Sequence, residues 1–466
     1  MTNQAEMTPE TTVAGSAPSA AGEPVLPSGP RTPGLWQMSR WFRDPISFME
    51  ENRARHGPIY RVRLGALNRC AFIADPEAAW QVLSGDPDHF RMGPTNALFR
   101  PVLGERSLFL VDGDEHKHYR RLLAPSFHRQ SVRRYADLIE EITARDMASW
   151  PRGVPFRLQE PMRRITTESI VRIVIGVCSP DRDAEIRRLV PAMLEIAENP
   201  LALMPQFQRE LGGRSPFGKV MEVTRRLDRI LFDEIGLRRS ARGSERGADV
   251  LSTLARPEPH EDGFMTDREI RDQMVTLLIA GHETTANALS WAFERLLRNP
   301  VVLDRLLSEP DDAEIYLEAV VRETLRQRPI LPITARRLTA PMRVGEFSFP
   351  RGWTLMPCIY LIHQDPEVFP DPDRFRPERF LEDARSSSHV WVAFGGGTRH
   401  CIGSHLAMLT IKSVLRAVLG RVRLESDSDP EPIVRNNMTL APGRGAMATV
   451  VGSRGVPVRD RAPVSK

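Results

Sequence analysis

The chain has 466 residues, 41% of them hydrophobic, and a net charge of +4 from 64 basic and 60 acidic side chains. That near balance carries no electrostatic footprint for nucleic acid. Its four cysteines, Cys70, Cys178, Cys358 and Cys401, are too few and too irregular for a disulfide framework. No run of about 18 apolar residues occurs, so no transmembrane anchor is expected.

The length admits two or three domains but also suits one large fold. The N-terminal stretch is rich in Ala, Pro, Gly, Ser and Thr and has no Lys or Arg before Arg31. It lacks the charged and apolar regions of a signal peptide. Residues 1–34 are therefore expected to form a flexible tail, and 35–466 a single domain of a cytoplasmic enzyme. Asp44-Pro45 supplies an N-cap and an N1 proline for a helix to about Arg55. Ile59–Leu64 and Ala71–Ala74 alternate as short strands, and Asp75-Pro76 opens another helix. Pro329 to Tyr360, with GEFSFPRG as a turn, is expected to join the same small sheet. The remainder reads as helix, so the fold class is mainly α with a minor β-sheet region.

Within DGDEHKHYRR, His116 and Arg120 lie four apart on one helical face. Alone, that is an ordinary solvated basic face. Two amphipathic helices, about Ala184–Glu198 and Gly218–Arg239, flank a loop carrying Leu201, Leu203, Met204 and Phe207. Thr266 and Glu269 make a capping box. A periodic pattern then runs to about Leu297, roughly 45 Å at 1.5 Å per residue. Near its middle sits AGHETT, Ala280 to Thr285. Gly281 and two threonines are poor helix formers. The Thr284 hydroxyl can compete for the Ala280 carbonyl and bend the helix. Glu283 sets an acid beside that alcohol.

Glu323 and Arg326 follow, three apart on a helix that must stop before Pro329. In isolation they read as a surface ion pair of small worth. Arg336 and Arg337 precede a strand, and Pro377-Glu378-Arg379-Phe380 comes later. The stretch Phe394–Gly403, FGGGTRHCIG, has three consecutive glycines, Arg399, Cys401 and Gly403. Apolar residues at 402, 406, 409, 414, 415 and 418 then mark an amphipathic helix. Cys401 thus sits on a tight loop at a helix N-terminus, where dipole and free N–H groups favour a thiolate. A lone cysteine is ordinarily a small buried hydrophobe. A triple-glycine loop, a nearby cation and a glycine permitting close approach fit instead a thiolate ligand to a flat cofactor. His400 is a rival ligand, although an adjacent His-Cys pair cannot easily bind one metal together. No CxxC or HxxxH partner makes a zinc site.

FGGGTRHCIG resembles the haem-binding signature FxxGxRxCxG of the cytochrome P-450 family, whose proximal ligand is a cysteine thiolate. AGHETT is similar to that family's oxygen-binding helix motif, and ExxR and PERF are also present. The resemblance covers about residues 35 to 450 and points to the soluble bacterial kind. It implies the cytochrome P-450 fold, with haem b between the long central helix and the cysteine helix. Cys401 is then the axial iron ligand, with Phe394 packed near the sulfur and Gly403 allowing close approach. Arg399, His116, Arg120 and Arg336 are implied to hold the haem propionates, with Arg337 as the alternative to Arg336. Thr284 would hydrogen-bond dioxygen at the iron or the water beside it, and Glu283 would relay protons. Glu323, Arg326 and Arg379 become a buried network that holds the ligand loop. Ala280, Ile330 and Ile333 would line the substrate cavity, with Met438 to Leu440 a weaker candidate and the 201–217 loop a lid.

The implied activity is a monooxygenase that puts one oxygen atom of O2 into a hydrophobic substrate, such as a fatty acid, a terpenoid or another secondary metabolite. The alternatives are a peroxide-driven enzyme, an oxygen-independent isomerase or dehydratase, and a haem-based sensor. No GxGxxG lies in a strand–helix context and no length is left for a flavin domain. NAD(P)H electrons are therefore expected only indirectly, through a ferredoxin or flavodoxin and its reductase. Lys412, Arg416, Arg121, Arg129, Arg133 and Arg134 are expected to offer that acidic partner a basic face.

Overall fold

One helix, Asp267–Leu297, organises the computed structural model. The structure describes residues 25–454 except 66, 198–207, 209–214, 242–246, 248, 257–263, 309–313, 383–386, 427–428 and 437. Residues 1–24 of the expected tail, and lid residues Leu201, Leu203, Met204 and Phe207, lie outside the described residues. The central helix starts on the capping box: Thr266 Oγ1 accepts the Glu269 N–H, and Glu269 Oε2 accepts the Thr266 N–H at 2.7 Å. Ile270–Leu278 and Thr285–Glu294 are buried nearly without a break, so the helix threads the core rather than lying on it.

Gly281 has a packing reason for its place in this helix. A Cβ there would meet Ile170 Cδ1 at 2.6 Å, on the neighbouring helix Gln159–Val174. Any larger residue there would require the Ile170 side chain to move. On another side packs the cysteine helix, Ser404–Leu419, which buries Leu406, Ile411, Val414, Leu415 and Val418. Helix Glu314–Gln327 ends ahead of Pro329, as the sequence requires. The helices beside the lid loop are Pro180–Ala197 and Pro216–Ser240, both starting earlier than periodicity alone indicates. For the second, Ser215 caps the Gly218 N–H at 2.9 Å and Pro216 opens the first turn.

Among the described residues the minor β component is spread over four sheets. The largest runs in the order Ile59–Leu64, Leu67–Ile73, Thr354–Pro357, Arg336–Leu338, Phe90–Arg91. Its first pair is antiparallel with Ile59 opposite Ile73, and Leu67–Ile73 is parallel to Thr354–Pro357 with Cys70 opposite Thr354. The whole 329–360 segment does not join this sheet. Met342–Val344 and Phe347–Phe349 close on each other as a separate hairpin, turned at Gly345 with φ +58°. A further hairpin, Ile433–Asn436 with Thr439–Pro442, docks on the central helix, where Trp291 Nε1 donates to the Leu440 carbonyl at 3.3 Å. Among the described residues no helix is long and apolar enough to cross a membrane.

Candidate active site

The ligand loop is shaped by two glycines with positive φ, Gly395 at +73° and Gly397 at +62°. Gly396 is extended and is needed for space instead, since a Cβ there would lie 2.7 Å from the Trp80 ring. The Cys401 N–H donates to the Phe394 carbonyl at 2.9 Å and closes the loop. The Phe394 ring packs edge-on to Trp391 at 5.8 Å. Gly403 has an ordinary φ, and a Cβ there would come no nearer than 4.0 Å, at Cys401 Sγ. Cys401 keeps an accessible face, yet the protein atoms around its sulfur are enough to desolvate it. Its thiol is not pre-lowered as the loop position led us to expect. Its deep setting pushes the thiol pKa up, against the opposing pull of the Gly403 N–H and the Arg120 charge. Deprotonation therefore has to accompany metal binding.

Around this loop the fold gathers cations. His116 is buried on helix Gly113–Phe127, with Arg120 one turn on. Burial, followed by Arg399, Arg120 and Arg336, lowers His116 to about 3. Arg336 is buried and Arg337 exposed, because alternate residues of their strand face opposite sides. Among the described residues the Arg336 guanidinium hydrogen-bonds only the Thr334 hydroxyl at 3.1 Å, the Ala335 carbonyl at 3.0 Å and the Met92 sulfur at 3.6 Å. Burial and then Arg399 lower it to about 10. Arg399 donates to the Leu108 and Val111 carbonyls and pairs with Asp112 at 2.6 Å. Asp112 is already engaged by the Met92 and Gly93 N–H groups at 2.7 and 2.9 Å. Arg120, part-buried, has no hydrogen-bonding partner among the described residues, and burial lowers it. Asp112 thus pairs with Arg399 and acts on Arg336 only through space, and among the described residues no carboxylate hydrogen-bonds Arg336, Arg120 or His116. His116, Arg336 and Arg399 line one cavity.

The central helix is bare where it should be most buried. Ala280 is exposed, and Ile279, Gly281, Glu283 and Thr284 are only half-buried. The Thr284 hydroxyl donates to the Ala280 carbonyl at 2.6 Å, the back-bond the motif implies, and the helix continues unbroken. Glu283 is gripped by Arg163 at 2.7 Å from the helix Gln159–Val174. No local pattern pointed to Arg163: it lies 120 positions away, in a helix without a motif. His282, next to Glu283, is buried, and burial lowers it to about 4.

Beneath the ligand loop lies the frame. Glu323 and Arg326 are fully buried and paired at 2.7 and 3.0 Å. Arg379 reaches Glu323 at 3.1 Å, and the Arg376 N–H donates to it at 2.9 Å. Arg326 also donates to the His363 and Pro372 carbonyls at 2.8 and 2.6 Å. His363, which sequence reasoning passed over, completes the link: its Nε2 accepts the Val392 N–H at 3.0 Å, two residues before Phe394. Burial and then Arg326 lower it to about 3, so the ring stays neutral and can accept.

Other expected residues are dispersed. Ile330 is buried in the helical core, where its carbonyl accepts the Leu440 N–H at 2.8 Å. Ile333 packs against a different cluster, around Trp41 and Tyr60. Met438 is exposed and Leu440 buried. Lys412 is not on a basic face. It is buried and bonds Glu314 and Glu318 at 3.0 and 3.2 Å, while Arg416 pairs with Glu314 at 3.1 Å. Arg121, Arg129, Arg133 and Arg134 are exposed.

A thiol on a glycine loop, a buried cation excess and a bare stretch of helix fit one group, a haem with two propionates. The Cytochrome P450 family model matches residues 27–450. The chain belongs to the cytochrome P450 family. Cytochrome P450 135B1 of Mycobacterium bovis is 35% identical over 446 residues, 94% of each chain. Cytochrome P450 138 of the same species is 36% identical over 412 residues, 88% of this chain and 92% of that one. Among solved structures, the retinoic acid-bound cyanobacterial CYP120A1 superposes with a TM-score of 0.80 at 23% identity, over 92% of this chain and 99% of that one. The P450DA heme domain gives 0.78 at 23%, over 92% and 98%. These likenesses establish the cytochrome P450 fold. Family and fold together support a haem-thiolate monooxygenase in general, using haem b and O2.

Proposed function

We propose that this P450 inserts one oxygen atom of O2 into a hydrophobic substrate, using electrons delivered by a separate ferredoxin or flavodoxin and its reductase. The observation that supports the reading is Cys401 lying beside Arg120, at the edge of a carboxylate-poor cation cluster, in a fold whose central helix leaves Ala280 exposed. When bound, haem supplies the binding and reductive activation of O2. The protein's residues do the rest. Cys401 holds the iron as thiolate. His116, Arg120, Arg336 and Arg399 neutralise the propionates, which a buried site could not otherwise accept. Arg399 has a second duty, pinning the start of the 113–127 helix through Asp112.

Glu283 and Thr284 handle protons. Thr284 Oγ1 spends its own hydrogen on the Ala280 carbonyl, so its lone pairs are left to accept a hydrogen bond from a water or a substrate group. Arg163 fixes the Glu283 carboxylate at the same level of the helix. Release of that ion pair would free Glu283 to pass a proton inward. The bare Ala280 face leaves room for an apolar substrate. The exposed arginines Arg121, Arg129, Arg133 and Arg134 give an acidic redox protein its docking charge, without Lys412 and Arg416.

Turnover under 18O2 with a ferredoxin system, across a lipid and terpene panel, tests the reading. One labelled oxygen atom in the product is expected, and product free of label would replace it with an isomerase or dehydratase. Thr284→Ala should retain substrate binding yet divert severalfold more electrons to peroxide. Unchanged product per electron would remove Thr284 from proton handling.

A further inference from the structure

A second charged cleft lies at the other end of the molecule's N-terminal region. It measures about 440 Å³ and is lined by Ser28, Arg31, Arg55, His56 and Arg61, among others. Its cations come from three elements: the segment before helix Gly34–Arg43, the end of helix Pro45–His56, and strand Ile59–Leu64. Among the described residues no carboxylate lines it. Glu51, one turn before Arg55, is held by Arg40 at 2.9 and 3.0 Å and makes a looser ion pair with Arg55 at 4.0 Å. Cations at a helix C-terminus offset its dipole. That accounts for Arg55 and His56, but not for Arg31 or Arg61.

The walls of the cleft are built. Gln37, fully buried, donates to the Pro30 and Thr32 carbonyls at 3.3 and 2.7 Å and accepts the Arg63 N–H at 2.9 Å. The Ser28 carbonyl accepts the Arg61 N–H at 2.9 Å. A Cβ on Gly29 would lie 2.1 Å from the Arg61 carbonyl oxygen, so glycine alone permits the approach. The Ser28 hydroxyl sits 3.2 Å from His56 Nδ1. Arg31, Arg55, Arg61, His56 and Ser28 thus border one space, the three arginines being exposed. Guanidinium forks match the oxygens of a phosphate.

We propose that this cleft binds a phosphate group. Two sources share that chemistry: a free or small-molecule phosphate, and the headgroup of an anionic phospholipid. The second gains interest because Leu35 and Trp36, 72% and 51% exposed, follow directly in the chain.

Calorimetry with inorganic phosphate and with pyrophosphate, at constant ionic strength in chloride, tests the first source. Co-sedimentation with phosphatidylglycerol and phosphatidylcholine vesicles tests the second. The comparison protein is the Arg31→Gln/Arg61→Gln double variant, checked for folding by circular dichroism; neither residue belongs to the candidate active site. A free-phosphate site gives saturable one-to-one binding, weakened at least tenfold in the variant. A headgroup site gives retention on phosphatidylglycerol but not phosphatidylcholine vesicles, lost in the variant. Absence of saturable binding in both arms, or binding that the double substitution leaves unchanged, overturns the proposal.

Discussion

The frame under the ligand loop and the cation cluster beside it are both buried and both charged, yet they are built on opposite terms. Glu323 receives Arg326, Arg379 and a backbone N–H, and Arg326 spends its remaining donors on two carbonyls. Glu323 and its two guanidiniums thus find their partners within the described residues, without any ligand. In the cluster, Arg336 finds a hydroxyl, a carbonyl and a thioether but no carboxylate, and Arg120 finds less. A satisfied network holds a shape. An unsatisfied one stores a preference for whatever brings the missing charge.

If the two regions are separable in this way, the iron ligand can be removed without disturbing the frame. Cys401→Ala should abolish the carbon monoxide band typical of thiolate-ligated iron, and all activity with it. The urea midpoint of the haem-free protein should barely move, because the side chain is exposed and outside the frame. A large fall in that midpoint would show that loop and frame are one unit.

The next largest effect strikes the frame. Glu323→Gln leaves Arg326 and Arg379 without their anion in a site that excludes water. The expected loss is about 3–5 kcal/mol of folding stability, read by urea unfolding of the haem-free chain. His363→Phe should cost less, about 1–3 kcal/mol, since it strands a single N–H, that of Val392.

The cluster should respond with the opposite sign. Arg336→Leu removes a buried guanidinium that has no anionic partner, so the haem-free protein should be no less stable than the wild type. Haem, however, should dissociate about tenfold faster, the equivalent of one lost propionate contact of about 1.4 kcal/mol. Arg337→Leu, on the exposed side of the same strand, should change neither quantity. Haem transfer to apomyoglobin measures the rate, and equal behaviour of the two variants would erase the distinction drawn between cluster and frame.

The same contrast explains what could be read in the sequence. Contiguous features were legible: the capping box at Thr266, the proline-marked helix starts, the loop 394–403 and the ExxR pair. Each encodes its geometry within one or two turns. Arg163 and His363 were not, because each acts on a partner far away in the chain and sits in a segment with no pattern of its own. Lys412 was misjudged for a related reason. Helical spacing shows that it flanks the cysteine helix, but not that Glu314 and Glu318 arrive from another helix to bury it. The hairpin at 342–349 was assigned to the wrong sheet because a strand's pattern carries no information about which edge it will meet.

Acid should separate the regions by the smallest but most specific margin. His116 is held at about 3 in the fold, first by burial and then by the three arginines around it. An unfolded histidine takes a proton near pH 6.5. Above that value the two states bind protons alike, and below it only the unfolded chain does. Folding stability must therefore drain away as pH falls from about 6.5 towards 3. His282 and His363 are shifted in the same direction, so wild-type acid sensitivity alone is not diagnostic. His116→Asn isolates the cluster's share, since asparagine does not titrate. In haem-free protein, the fall in urea midpoint between pH 7.5 and 5.5 should be smaller in the variant. In the haem-loaded enzyme that difference should shrink, because propionates oppose the arginines and let His116 keep its proton. A difference of the same size with and without haem would mean that no carboxylate reaches His116, and the cluster would need another ligand.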